Sequence, residues 1–347
     1  MKKDIRLEAI RVLSIFLVIL IHFCNYYTKI MEPTLTVNYM VAMFYNVTAR
    51  VCVPLFFMIS GALGLKKEFD FDKNKKKILH MLLVLVVWSV IYWLWNYFFL
   101  ERDMLSQGFI VYLFDPLKNH LWYLYAYIAL LIAQPLTALL AKHMDRHTEN
   151  YFIIAWLLLC GGVRILDSVL DYYEVTAGLR YAVPMIQSTY YFGYYLCGHI
   201  LYKRLSQGEK CEKILSLKKG WYIFVALLSI IACWAMTCYF SIEVAGETDK
   251  SLFAYSSSLI MIPTVCIFLF FLKANIRESK IIYALGNSSF GIYLSHLIFF
   301  SILYVCCDLR TLGPVFWLPA LTLLILLISM AFVEVTRRIP GLRKILY

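Results

Sequence analysis

The chain has 347 residues, 62% of them hydrophobic and 17% aromatic, with a mean hydropathy of +0.71. One water-soluble core cannot hide that much apolar surface, so the composition excludes a soluble domain and points to a polytopic membrane protein, organised as one domain over residues 1–347. The net charge of +11 would suit nucleic acid in a soluble protein, but it collects between apolar runs, which excludes nucleic acid as a partner and makes the bilayer the partner.

Apolar runs at 7–27, 38–64, 78–99, 121–141, 151–169, 187–203, 221–240, 253–272, 285–306 and 315–335 predict an all-α membrane bundle of about ten transmembrane helices. The first run is too long for a signal peptide and lacks a small-residue cleavage site, so it is read as a retained span. With both termini cytoplasmic, inner segments hold 24 Lys and Arg and outer segments hold 6, which fixes this orientation by positive-inside bias. Three polar outer loops, 101–120, 168–187 and 241–252, are long enough to cover an outer cavity. The glycosylation acceptor patterns at Asn46 and Asn287 fall in or beside spans and are dismissed. The ten cysteines lack ligand-like spacing and lie mostly in apolar runs, so neither a metal site nor a disulfide framework is expected.

The first span carries Arg11 and His22, ionisable groups whose presence inside a membrane costs about 2.5 kcal/mol or more and marks a functional hypothesis. At about 100° and 1.5 Å per residue they share one helix face, separated by roughly 16 Å along the axis. Arg11 is within a turn of the inner boundary and either snorkels to headgroups or binds a ligand. His22, nearer the outer boundary, is either an interfacial histidine or a general base for a hydroxyl. Arg50, deep in the second span, suits a phosphate or carboxylate, or a structural pair with Glu334 or Asp167. That span ends in the small pair Ser60-Gly61, and the inner loop after it carries Lys66, Lys67, Lys73, Lys75, Lys76 and Lys77, an anionic-lipid surface or a polyphosphate dock. The segments around Trp122 and Tyr123, and around Tyr190 to Tyr195, read as aromatic belts or sugar-stacking platforms. In the ninth span, Tyr293 and His296 share a face at one-turn spacing, and in the tenth Glu334 precedes Arg337 and Arg338, its simplest partners.

Taken together, these separated motifs resemble the membrane-bound acyltransferase 3 superfamily, bacterial enzymes that acylate envelope sugars, over nearly the whole chain. Arg11 and His22 match its Arg-x10-His signature, and Pro54-Leu-Phe-Phe-Met-Ile-Ser-Gly61 its Phe-Phe-x-x-Ser-Gly segment. Leu121-Trp-Tyr-Leu-Tyr125 with Pro135 is similar to its Trp-Tyr/Phe-Leu span, and Gly291-Ile-Tyr-Leu-Ser-His296 to its Tyr-Leu-x-His span. Phe332-Val-Glu334 resembles a closing Ile-Glu-x-Pro, although Val335-Thr336 follows here and Pro340 comes later. Lys66-Lys67 stands where relatives carry an arginine pair, keeping charge and losing bidentate geometry.

The resemblance implies acyl-CoA, usually acetyl-CoA, as the donor substrate with no bound cofactor, and O-acetylation of a polysaccharide or other envelope hydroxyl at the bacterial cell membrane. In that scheme Arg11, Arg50, Lys66 and Lys67 bind the donor. His22 serves as base or as acyl carrier, and Ser60, Trp122, Tyr123, Tyr293, His296 and Glu334 are acceptor or oxyanion candidates. A transporter or flippase of a glycan or lipid-linked intermediate is the alternative; it is disfavoured because no repeated half or paired Gly/Pro-broken spans are visible. Neither the acceptor nor the oligomeric state is written in the sequence.

Overall fold

The structure, a computed structural model, describes residues 3–100, 108–114, 120–172, 190–206, 213–309 and 312–347. All regular elements among them are helical. In chain order they are α1 (Ile5–Ile30), α2 (Val37–Ala49), α3 (Cys52–Gly64), α4 (Phe71–Trp95), α5 (Gly108–Phe114), α6 (Trp122–Ile132), α7 (Gln134–His143), α8 (Arg146–Trp156), α9 (Val163–Tyr172), α10 (Tyr190–Ser206), α11 (Lys213–Ser216), α12 (Lys219–Phe240), α13 (Ser258–Lys273), α14 (Lys280–Cys306), α15 (Pro314–Arg337) and α16 (Pro340–Leu346). Short π-helical turns follow α4, α8 and α12.

Among the described residues seven runs are long and apolar enough to cross a membrane: Ile5–Ile30, Val37–Gly64, Phe71–Leu100, Arg146–Leu170, Lys219–Ala245, Lys280–Cys306 and Pro314–Arg337. The pair α6 and α7, bent by 58°, makes an eighth if it is one span. In the other two predicted spans the described helices are shorter, 17 residues in α10 and 16 in α13. Of the outer loops, 241–252 is described, whereas most of 101–120 and 168–187, with Glu174 and Arg180, lies outside the described residues.

α1 is the axis of the bundle, packed against α2, α3, α13, α14 and α15. Asp4 caps it, its carboxylate accepting from the Arg6 backbone N–H at 3.0 Å and so satisfying one of the orphan donors of the first turn. α3 and α10 cross at their glycines: a Cβ on Gly61 would stand 1.7 Å from the Tyr195 carbonyl oxygen, and one on Gly198 would stand 2.2 Å from the Met58 carbonyl oxygen. Small residues are what allow two spanning backbones to approach this closely.

Prolines explain where the spans break, because each removes one intrahelical hydrogen bond and presses on the carbonyl four residues earlier. Pro54 puts that conflict at Arg50, where α2 gives way to α3, and Pro135 sits at the bend between α6 and α7. The two prolines inside continuous helices are compensated by neighbours. The Leu259 carbonyl, four before Pro263, accepts from Ser229 Oγ at 3.1 Å, and the Val315 carbonyl, four before Pro319, accepts from the Tyr45 hydroxyl at 3.2 Å. In a medium without water to do it, another helix must satisfy the freed carbonyl.

Candidate active site

A cavity of about 340 Å³ opens beside the C-terminal half of α1. Val18, Ile21, His22 and Asn25 of α1 line it, together with Arg50 and Val53 from the α2–α3 break, His120, Trp122 and Tyr123 at the start of α6, Tyr191 of α10, Tyr255, and Tyr293 of α14. The α1 contribution follows from helical spacing, since residues 18, 21, 22 and 25 fall on one face.

Three imidazoles meet here. The ring of His22 lies 5.1 Å from that of His296 and 6.3 Å from that of His120, and the last two are 5.0 Å apart, centroid to centroid. His296 is wholly buried and its Nδ1 faces two carbonyls, Tyr293 O at 2.7 Å and Ile292 O at 3.2 Å. Carbonyls only accept, so Nδ1 carries the proton, and in the neutral ring Nε2 is left as a bare lone pair. That Nε2 has no hydrogen-bond partner. Neither ring nitrogen of buried His120 makes a well-formed hydrogen bond, and its backbone carbonyl accepts from the Tyr293 hydroxyl at 2.7 Å. His22 is the half-buried member of the three, its ring open to the cavity. The three rings are not placed as a metal centre, and no group of metal-ligating side chains occurs among the described residues.

Arg50, at the proline-induced break, is held by Asn25, whose Oδ1 accepts from Nη2 at 3.0 Å and also from Asn46 Nδ2 at 3.3 Å. Its guanidinium carbon stands 4.5 Å from the centre of the Phe253 ring and 5.8 Å from that of Tyr255, whose hydroxyl it also meets. The buried Nε has no hydrogen-bond partner among the described residues. No described carboxylate pairs with Arg50; the partners suggested by sequence, Glu334 and Asp167, do not form that ion pair. Arg50 also stands apart from Lys66 and Lys67, grouped with it above as candidates for the donor, since it lines the His22 cavity and they do not.

The other candidates divide into three places. Trp122, Tyr123 and Tyr293 line the cavity, with the Trp122 ring 5.8 Å from those of Tyr191 and Tyr255 at shallow angles. Ser60 on α3 lies by the Tyr123 hydroxyl, within electrostatic reach of Arg11. Arg11 itself pairs with buried Glu8 at 2.7 Å and is absent from the cavity wall, as the 16 Å rise between positions 11 and 22 requires. Lys66 and Lys67 line a second, larger cavity of about 850 Å³ with Lys142, His199, Tyr202 and Lys203. Glu334 is in neither: it accepts from Ser288 Oγ at 2.7 Å and stands 3.7 Å from Arg337, the surface pairing its spacing favours.

A family model described as an acyltransferase domain matches residues 4–334. The chain belongs to the acyltransferase 3 superfamily. No curated protein and no solved structure matches it. Six sequence segments of this acyltransferase, scattered from residue 18 to residue 296, converge on the cavity wall or directly behind it. Sequence reasoning missed Asn25 and His120. Asn25 was legible as a third polar residue on the Arg11–His22 face; His120 was absorbed into an aromatic segment that reads as a membrane belt.

Proposed function

We propose that this acyltransferase is an O-acyltransferase of the bacterial cell membrane with about ten spans and cytoplasmic termini, moving an acyl group, in the simplest case acetyl, from cytoplasmic acyl-CoA to a hydroxyl of an envelope glycan or related molecule. The observation that carries this reading is the half-buried His22 ring, open to a cavity walled by aromatic rings and backed by His296 and His120. A base in a water-poor site beside stacking surfaces suits a sugar hydroxyl.

On this reading Lys66 and Lys67 hold the donor's phosphates in the larger cavity, and Arg11 adds a positive charge about 16 Å along α1 from His22. The acceptor hydroxyl loses its proton to His22 as its oxygen attacks the thioester carbonyl; the carbon–sulfur bond breaks and the CoA thiolate leaves, taking up a proton. If His22 is instead the acyl carrier, its nitrogen attacks the thioester carbonyl and expels the CoA thiolate; the acceptor oxygen then attacks the acyl carbonyl, the acyl–nitrogen bond breaks, and the hydroxyl proton goes to the released imidazole. Tyr123, with Ser60 beside it, is the hydroxyl donor best placed for the oxyanion, because the Tyr293 hydroxyl is already committed to the His120 carbonyl.

Reconstitution in liposomes with acetyl-CoA and a panel of hydroxyl acceptors, following release of CoA thiol, tests the reading. Acceptor-dependent release that disappears in His22→Ala is expected. Equal release by wild type and variant across the panel sinks it. Incubation with acyl-CoA alone followed by mass spectrometry separates base from carrier, since only the carrier leaves an acylated His22.

A further inference from the structure

The proposed function leaves one feature of the cavity unused: a cation with no counter-ion among the described residues. Arg50 brings a permanent positive charge into the wall that holds His22, and no described carboxylate neutralises it. Burying an unpaired guanidinium is costly, and the ring faces of Phe253 and Tyr255 offset only part of that cost. The guanidinium is nevertheless held in one orientation. Asn25 Oδ1 fixes Nη2 and is itself fixed by Asn46 Nδ2, which also lies 3.4 Å from Thr28 Oγ1. Nε, on the same edge of the fork as Nη2, is buried and unpartnered. A guanidinium held in one orientation with its Nε–H unspent offers a charge-assisted hydrogen bond to a carboxylate or phosphate oxygen. Because Asn25 spends its oxygen on Arg50 and Asn46, its amino group is the part left to face the cavity as a further donor.

The site also has a place relative to the chemistry. Asn25 follows His22 by three residues on the same face of α1, so the anion would sit about one helical turn beyond the base, away from Arg11. The donor's phosphates have their own lysine-lined cavity, which shares no wall residue with this one. We infer that Arg50 and Asn25 form an anion subsite for the acceptor, so that the preferred substrate is a hydroxyl compound carrying a carboxylate or phosphate within a few ångströms of the hydroxyl to be acylated. The inference rests on the acyltransferase reading for the word acceptor; the anion site itself does not depend on it.

Equilibrium binding to the purified full-length protein in nanodiscs, without acyl-CoA, tests it. The probes are methyl glucoside, methyl glucuronoside and glucose 6-phosphate, a neutral sugar and its carboxylate and phosphate counterparts. One or both anionic probes should bind at least about tenfold more tightly than the neutral one, the scale of a charge-assisted hydrogen bond. The stronger of the two identifies the oxyanion. Arg50→Gln should erase the preference, Arg50→Lys should retain part of it, and neither should change the affinity for CoA. His22→Ala should keep the preference while losing transfer, so a failed transfer assay and a failed anion site give different results. Equal binding of all three probes by wild type, an anion preference that survives in Arg50→Gln, or a loss of CoA affinity in Arg50→Gln matching the loss of anion affinity would each overturn the inference. If Arg50→Gln does not fold, the wild-type probe series and Asn25→Ala, which should weaken the preference, decide the matter.

Discussion

His22 and His296 face each other at 5.1 Å, one ring open to the cavity and the other sealed behind it with its Nδ1 proton committed to the Tyr293 carbonyl. The bare Nε2 of His296 is therefore an acceptor held behind the His22 ring and, where His22 is the base of the proposed reaction, able to orient it or stabilise its protonated form. His22→Ala should lower acyl transfer by about 100-fold or more, the usual scale for a general base. His296→Ala should lower kcat by a smaller factor and leave the acceptor KM unchanged, because His296 acts through His22. Steady-state kinetics on both variants, with folding checked by size exclusion, separates the two roles; an unchanged kcat in His296→Ala would reduce it to packing.

Glu8 is almost fully buried and pairs with Arg11 at 2.7 Å, its second oxygen lacking a partner. Removing one member of a buried pair leaves the other uncompensated, so Glu8→Ala should destabilise the protein by up to about 3 kcal/mol, less if water reaches the partly exposed Arg11. It should also loosen Arg11 and raise the KM for acyl-CoA. Thermal unfolding of Glu8→Ala, Arg11→Ala and the double variant gives the coupling; strict additivity would mean that the pair contributes nothing.

Much of this arrangement was legible in the sequence because helices have a fixed period. The eleven-residue separation of Arg11 and His22 predicted a shared face and a 16 Å rise, and the structure accordingly leaves His22 on the cavity wall and Arg11 off it. Tyr293 and His296 came out on one turn for the same reason. Periodicity says nothing about contacts between distant helices, and so the meeting of His120 with His22 and His296 was invisible. The same limit applies to Arg50: its type and depth suited either a ligand or a structural pair, and only the packed structure separates it from Glu334 and from Lys66 and Lys67. Glu8 was overlooked because a carboxylate one turn from a boundary looks like surface until its burial is known.

Lys66 and Lys67 line a cavity that also holds Lys142 and Lys203, a concentration of positive charge suited to a polyphosphate. Lys66→Ala with Lys67→Ala should raise the KM for acyl-CoA and flatten its dependence on salt, with little effect on the acceptor KM. Initial rates from low to moderate ionic strength measure both. An effect confined to kcat would instead place the lysines in the route to His22.

The close crossing of α3 and α10 gives a sharper structural expectation. A methyl group on Gly61 would collide with the backbone of Tyr195, which cannot rotate away as a side chain would. Gly61→Ala should therefore destabilise by about 3 kcal/mol or more, the upper end for overpacking, and should lower the yield of monodisperse protein. Gly220→Ala near the start of α12, where a Cβ meets nothing within 4 Å, is the control and should be neutral or slightly stabilising. Fluorescence-detected thermostability on the two variants makes the comparison.

Asp4 ties the N-terminal end of α1 to its surroundings and brings a pH dependence whose sign follows from its contacts. Partial burial raises its carboxyl pKa, but the hydrogen bonds from the Arg6 side chain and backbone, the Arg6 charge and the Tyr202 hydroxyl outweigh that and hold it below the usual carboxylate range. A carboxylate whose pKa is lowered by folding stabilises the fold fully above its unfolded value, near 3.9, and loses that contribution as pH falls through the lower folded value. Asp4→Ala should cost about 1 kcal/mol at neutral pH through loss of the cap and the ion pair. The gap between wild type and variant should stay constant from neutral pH to about pH 5 and narrow below about pH 4. Thermal melts of the two proteins across that range test it; a gap that widens on acidification would mean that Asp4 is held protonated and that Arg6 is paired elsewhere.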